Sequence, residues 1–239
     1  DNIQLSPVYR EARRTSPTNI GMYLLSCVCV RELGIISSDE LFERVGASVS
    51  TLLRLRKWKG NLFNWYDIET LDVISPFVSC VDSGNFLCCL VAVKEELKAL
   101  GADCALIGAI EKLIAEADLH AFYNERKKLF SIGFDTEKNE LSKNHYDMLM
   151  SEARMTSYFA IASGFVGKEH YRALSRIMSR CKKFAGPISW TGTMFEYFMP
   201  ELLLSSKKGS LSAEALSYAL YCQKRRFLPW GISESAYYA

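Results

Sequence analysis

Three short stretches of the sequence set an aromatic ring, a carboxylate and small glycine or hydroxyl residues side by side. They are Asn64-Trp65-Tyr66-Asp67 with Val81-Asp82-Ser83-Gly84-Asn85, then Ser189 to Tyr197 (SWTGTMFEY), then Pro229 to Tyr237 (PWGISESAY). The C–H face of a pyranose packs on an indole or phenol, and carboxylates and amides bind its hydroxyls, so this composition fits a carbohydrate site. Trp65, Tyr66, Trp190, Trp230 and Tyr237 are the candidate platforms, with Asp82 and Glu196 as hydroxyl-binding carboxylates. Any one Trp is more often core than ligand wall. Three clusters of the same make-up weigh against that reading.

Breaking or transferring a glycosidic bond needs two carboxyl groups, one protonated to assist the leaving oxygen and one ionised to attack the anomeric carbon or activate water. A carboxyl in apolar or aromatic surroundings favours its protonated form. Three glutamates have such neighbours: Glu152 between Met148, Leu149 and Met155, Glu196 between Phe195 and Tyr197, and Glu234 after the Trp230-Gly231 turn. Structural readings stand beside these. Glu152 could pair with Arg154, Glu196 could cap a helix, Glu234 could be solvated, and Asp82 could be a plain N-cap.

Other chemistries lack their residues. The histidines at 120, 145 and 170 form no HExxH or HxE pattern, and there is no GxSxG elbow, Walker loop or GxGxxG. The eight cysteines include no CxxC, so neither a metal site nor a cofactor is expected, and most of them sit in apolar helical runs as reduced core thiols of a cytosolic protein. Lys plus Arg number 29 against 27 Asp plus Glu, with no basic stripe, which argues against nucleic acid as a partner. The longest apolar stretches, Met22 to Val30 and Phe86 to Val93, fall short of the roughly 20 residues that cross a bilayer.

The elements that must position these residues read as helices. Ser16-Pro17 starts one that stops at Gly34, and Ser37 with Glu40 forms a capping box for a second ending before Gly60. Asp82 or Ser83 caps a third from about Gly84 to Leu100, and a fourth runs from Cys104 to Ala117. Lys128 to Leu141 is the one hairpin-like patch. Helices are expected again over Tyr146 to Ser163, Lys168 to Lys182, Thr193 to Ser205 and Ser212 to Arg226. With 239 residues, ordinary composition and no linker, the expectation is one all-α domain over 1–239, a toroid of helical hairpins.

Six stretches in order, Asn64 to Asp67, Val81 to Asn85, Arg126 to Gly133 (RKKLFSIG), Tyr146 to Arg154 (YDMLMSEAR), Ser189 to Met199 (SWTGTMFEYFM) and Pro229 to Tyr237, resemble the glycoamylase-like domain of cyclic β-1,2-glucan synthases. The resemblance implies an (α/α)6 toroid that cyclises linear β-1,2-glucan by retaining transglycosylation. It makes Glu234 the general acid/base and Glu152 the nucleophile or base-side carboxylate. Glu196, Trp190, Tyr66, Asp82 and Tyr237 would then line the glucan subsites. The family continues beyond GISESAY, so with about eight of the twelve helices this chain is expected to be a fragment. Its toroid would be completed by the remaining synthase domains or by a second chain. The synthase context implies the cytosolic side of the inner membrane. An endo-β-1,2-glucanase and a noncatalytic glucan-binding module remain as alternatives.

Overall fold

Serine caps decide where the first helices begin. In the computed structural model, which describes residues 2–4, 10–226 and 228–233, α1 spans Pro17–Glu32 and α2 spans Ser38–Arg54. The Ser16 and Ser37 hydroxyls accept from the N–H groups of Asn19 and Glu40, satisfying donors that a helix start leaves open. Next come α3 (Cys80–Ala99), α4 (Cys104–Glu116), α5 (Arg154–Ala162), α6 (Glu169–Ala173), α7 (Met194–Phe198) and α8 (Leu211–Arg226). No helix among these is long and apolar enough to cross a membrane.

The chain divides into two units, Asp1–Phe122 with Ile132–Lys143 and Tyr123–Ser131 with Asn144–Ala239. In the first, α3 is the central element: Cys80, Phe86, Leu87, Cys89, Leu90, Val93 and Leu97 are all buried, so it has little polar face. Helix α1 packs against it closely at Gly21, where a Cβ would stand 3.1 Å from that of Cys89. Helices α2 and α4 add Leu41, Val45, Leu52, Ile110 and Leu113 to this core. The strand Phe77–Ser79 leads directly into α3 and pairs with Gly133–Asp135, which pairs in turn with Glu140–Leu141. Gly60, at φ 76°, turns the Lys57–Trp58 and Asn61–Leu62 hairpin where a Cβ would collide with the Glu116 carbonyl.

The second unit departs most from the all-α expectation. Fourteen strands of two to four residues occur among the described residues, and here they replace expected helix. Met148, Leu149 and Met150 are buried in succession but form no helix. The segment instead bridges Ser175: Met148 pairs with it in parallel, and the Leu149 N–H donates to its carbonyl at 3.0 Å. Helix α5 therefore starts only at Arg154. Likewise the helix expected over Lys168 to Lys182 ends at Ala173, and Met178–Cys181 forms a hairpin with Phe184–Pro187. Helix α8 lies on this hairpin at Gly186, whose Cβ would meet the Ala215 Cα at 2.7 Å. The core joins Leu149, Met150, Leu174, Tyr197, Ala215 and Ala219.

His170 on α6 is fully buried between the rings of Tyr123 and Phe130. Its Nδ1 lies 2.9 Å from the Lys128 carbonyl, so that nitrogen carries the proton and Nε2 accepts from the Ser157 hydroxyl at 2.9 Å. Burial lowers the imidazole pKa from its ordinary value. The folded pKa lies below the unfolded one, so the unfolded chain takes the proton first and stability falls as pH drops below about 6.5. We expect the thermal midpoint to fall between pH 7 and 5, and His170→Gln to flatten that slope. An unchanged slope would remove His170 as its source.

Candidate functional site

Within the second unit, the stretch from Tyr146 to Asp147 and the loop 188–193 come together around Trp190. The Trp190 indole stacks on the Tyr146 ring with centroids 5.5 Å apart and planes 7° from parallel. Its Nε1–H donates to Asp147 Oδ1 at 2.9 Å. Tyr146 is buried and itself fixed in the strand His145–Tyr146, which pairs with Leu129–Ser131. Trp190 nonetheless remains 44% exposed. An indole held by ring stacking and a hydrogen bond, yet open to solvent, has lost its rotamer freedom before any ligand arrives. That suits it to pack against a sugar face.

Glu196 shapes the loop that carries this ring. Only 3% exposed, it accepts from the Ser189 hydroxyl at 2.8 Å, the Thr191 hydroxyl at 2.7 Å and the N–H groups of Thr191 and Thr193. Thr193 closes a capping box with it at the start of α7. These four bonds all fall on Oε2, and among the described residues Oε1 takes only the shared Thr191 N–H at 3.2 Å, so Glu196 holds the loop in shape through one of its two oxygens. Tyr197 assists, its hydroxyl accepting from the Ser189 N–H at 3.0 Å and donating to the Pro187 carbonyl at 3.2 Å.

The stretch preceding Glu234 meets this loop. The Met194 N–H donates to the Ile232 carbonyl at 2.8 Å. Trp230 is 49% exposed, with the Lys224 ammonium 4.6 Å from its ring centre. Glu234 and Tyr237 themselves lie outside the described residues. Glu152 sits in the turn before α5, not inside a helix, and Ser151 donates its hydroxyl to Glu152 Oε2 at 3.2 Å. Arg154 bonds to Glu201 at 2.6 Å, tying α5 to the turn Met199–Leu202.

The remaining candidates belong to the first unit. Tyr66 is fully buried, accepts from the Phe63 N–H at 3.0 Å and donates to the Arg56 carbonyl at 2.5 Å. Burial pushes its phenol up to about 12. Tyr66 is therefore a core pin with its hydroxyl already committed. Trp65 is half-buried beneath the Arg14 guanidinium, which stands 4.5 Å from its ring centre. Asp82 is not the N-cap of α3: Ser79 is, its hydroxyl accepting from the Asp82 N–H at 3.2 Å. Asp82 occupies the first turn, where its charge suits the helix N-terminus.

Sequence reasoning missed three residues here. Tyr146 and Asp147 were passed over as the start of a helix, although both stand in the YDMLMSEAR stretch. Gln223 sits on the buried stripe of α8, four residues beyond Ala219 and eight beyond Ala215. A polar side chain in an apolar register was the available signal. A cleft of about 1040 Å³ in the second unit is lined by Tyr158, Tyr171, Arg172 and Ser206 among others, with no carboxylate among the described residues of its wall. Two-carboxyl chemistry needs acidic groups that these described lining residues do not supply, so the Trp190 platform is the better candidate despite its openness.

Comparison with known proteins bears on both units. No family model matches the chain. The cyclic β-(1,2)-glucan synthase NdvB of Rhizobium meliloti (strain 1021) aligns with it at 27% identity over 370 residues, covering 100% of this chain and 13% of that protein. Among solved structures, the endo-β-1,2-glucanase of Chitinophaga pinensis, in complex with sophorotriose and glucose, superposes with a TM-score of 0.76 at 16% identity, covering 95% of this chain and 62% of that one. The endo-β-1,2-glucanase of Talaromyces funiculosus, in complex with sophorose, gives 0.68 at 10% identity, over 91% and 53%. The chain thus spans a small part of the synthase and under two thirds of the two glucanases, and it shares with these glucanases their fold.

Proposed function

We propose that this chain is part of a glycoside-active domain that acts on β-1,2-linked glucose chains and cyclises linear glucan by retaining transglycosylation. The observation that carries this reading is the alignment of the whole chain with a cyclic β-1,2-glucan synthase. In this reading residues 1–239 form one segment of a single (α/α)6 toroid, completed by the rest of a larger synthase or by a second chain, on the cytosolic side of the inner membrane. Structural neighbours that run over 95% of the chain support its treatment as one piece.

Glu234 protonates the leaving glycosidic oxygen, and Glu152 supplies the second carboxyl, attacking the anomeric carbon to form a glycosyl-enzyme. The 2-hydroxyl at the other end of the bound glucan then displaces Glu152, with Glu234 now accepting its proton. Trp190, fixed by Tyr146 and Asp147, stacks one glucose unit. Trp230 contributes a further contact, and Tyr237 follows Glu234 in the same stretch. The endo-β-1,2-glucanase reading differs only in the acceptor, water in place of the chain end. The fold likeness to two such glucanases keeps it in play.

Calorimetric titration tests the substrate class. Linear β-1,2-glucan is expected to bind, and β-1,4-linked oligomers of equal length at least about tenfold more weakly. Trp190→Ala should weaken β-1,2-glucan binding by about 1–2 kcal/mol, the contribution of one aromatic platform. Equal affinity for both linkages would remove the β-1,2 assignment.

A further inference from the structure

Gln223 uses its whole amide on two segments that carry candidate site residues. It lies near the end of α8 and is only 4% exposed. Its Nε2 donates to the Gly192 carbonyl at 3.0 Å and to the Ile232 carbonyl at 3.1 Å. Its Oε1 accepts from the N–H groups of Gly231 at 3.1 Å and Ile232 at 2.7 Å. Two carbonyls face its NH2 and two N–H groups face its oxygen, so only this amide orientation satisfies all four bonds. Among side chains of this length only glutamine offers two donors and a double acceptor; asparagine carries the same amide on a shorter stem, glutamate lacks the donors and methionine lacks both.

The consequence follows from what those backbone atoms adjoin. Gly192 is two residues after Trp190, the exposed platform, and Ile232 is two residues before Glu234. A direct bond from the Met194 N–H to the Ile232 carbonyl joins the same two segments. We propose that Gln223 is a positioning residue that couples the glucan-holding loop 189–193 to residues 231 and 232, which lead in the sequence to Glu234. The functional half of this rests on the reading above. The mechanical half does not.

Hydrogen exchange on the full chain tests the mechanical half. In Gln223→Met and in the isosteric Gln223→Glu, peptides covering 189–193 and 228–233 are both expected to exchange at least about tenfold faster, while peptides from α5 keep their protection. Unchanged exchange in either segment, or a uniform rise across the second unit, would overturn the coupling. Failure of both variants to fold would overturn it too, by assigning Gln223 to the core alone.

Leaving-group dependence tests the functional half. A misplaced general acid slows departure of a sugar, which needs a proton, far more than departure of dinitrophenolate, which does not. In Gln223→Glu, kcat/KM, which reports cleavage of the glycosidic bond alone, should fall about 30-fold on linear β-1,2-glucan and less than about threefold on a 2,4-dinitrophenyl β-sophoroside. Equal losses on both substrates would show a structural role only. If the parent protein, with its toroid completed, turned over neither substrate, the glucan-active reading would fail, and the exchange result would still decide the coupling.

Discussion

Glu196→Ala should destabilise the second unit by about 3 kcal/mol in chemical denaturation, because it strands several donors at once. The Ser189 and Thr191 hydroxyls can turn to other partners, but the N–H groups of Thr191 and Thr193 are fixed by the backbone. Glu196→Gln should cost less, since one oxygen still accepts, although its NH2 then opposes one of those donors. Glucan affinity should fall with stability, as Trp190 stands inside the loop that Glu196 closes. A Glu196→Ala chain of parental stability that has lost only binding would show the carboxylate facing substrate, contrary to its observed bonding.

The second large effect concerns the catalytic pair. Glu234→Gln removes the transferable proton while keeping size and most hydrogen bonding, so kcat on linear β-1,2-glucan should fall by about 1,000-fold with affinity changed less than about threefold. Glu152→Gly should be as inactive. If Glu152 is the nucleophile, azide should restore turnover of an activated glycoside and yield a glycosyl azide of inverted configuration, because the small anion enters from the vacated face. No azide product, together with full loss of activity, would reassign Glu152 to a supporting role.

Where local chemistry decides structure, the sequence was readable. Ser16-Pro17 and Ser37 mark helix starts by the bonds their hydroxyls make within three residues, and both starts are found as expected. Ser79 was missed as the cap of α3 because Asp82 and Ser83 offer equivalent side chains, and the choice falls to the strand Phe77–Ser79 that pairs with Gly133–Asp135. The run from Met148 to Met150 reads as helix by apolar content, but its bridge to Ser175 comes from residues 25 or more positions away. The hairpin at Met178–Pro187 was hidden because its turn uses Lys182 at φ 57° in place of the glycine that usually signals such a turn.

The site divides along the same line. Aromatic and carboxylate composition pointed to the loop around Trp190, and the structure gives that ring a fixed yet open setting. Composition could not separate side chains that face solvent from those consumed internally. Tyr66 and Glu196 have the types expected of a sugar site, but the Tyr66 hydroxyl and one Glu196 oxygen are engaged by partners whose positions only the folded chain supplies. Gln223 shows the converse, a residue whose type says little until its four partners are known.

The most direct test of the central claim is product analysis by mass spectrometry after incubating this segment, within its completed toroid, with linear β-1,2-glucan, with Glu234→Gln as control. Transglycosylation predicts cyclic glucans, each one water lighter than the linear chain of equal length, and their disappearance in the variant. Linear fragments alone would contradict cyclisation and leave hydrolysis, and an unaltered glucan would contradict the enzymatic reading itself.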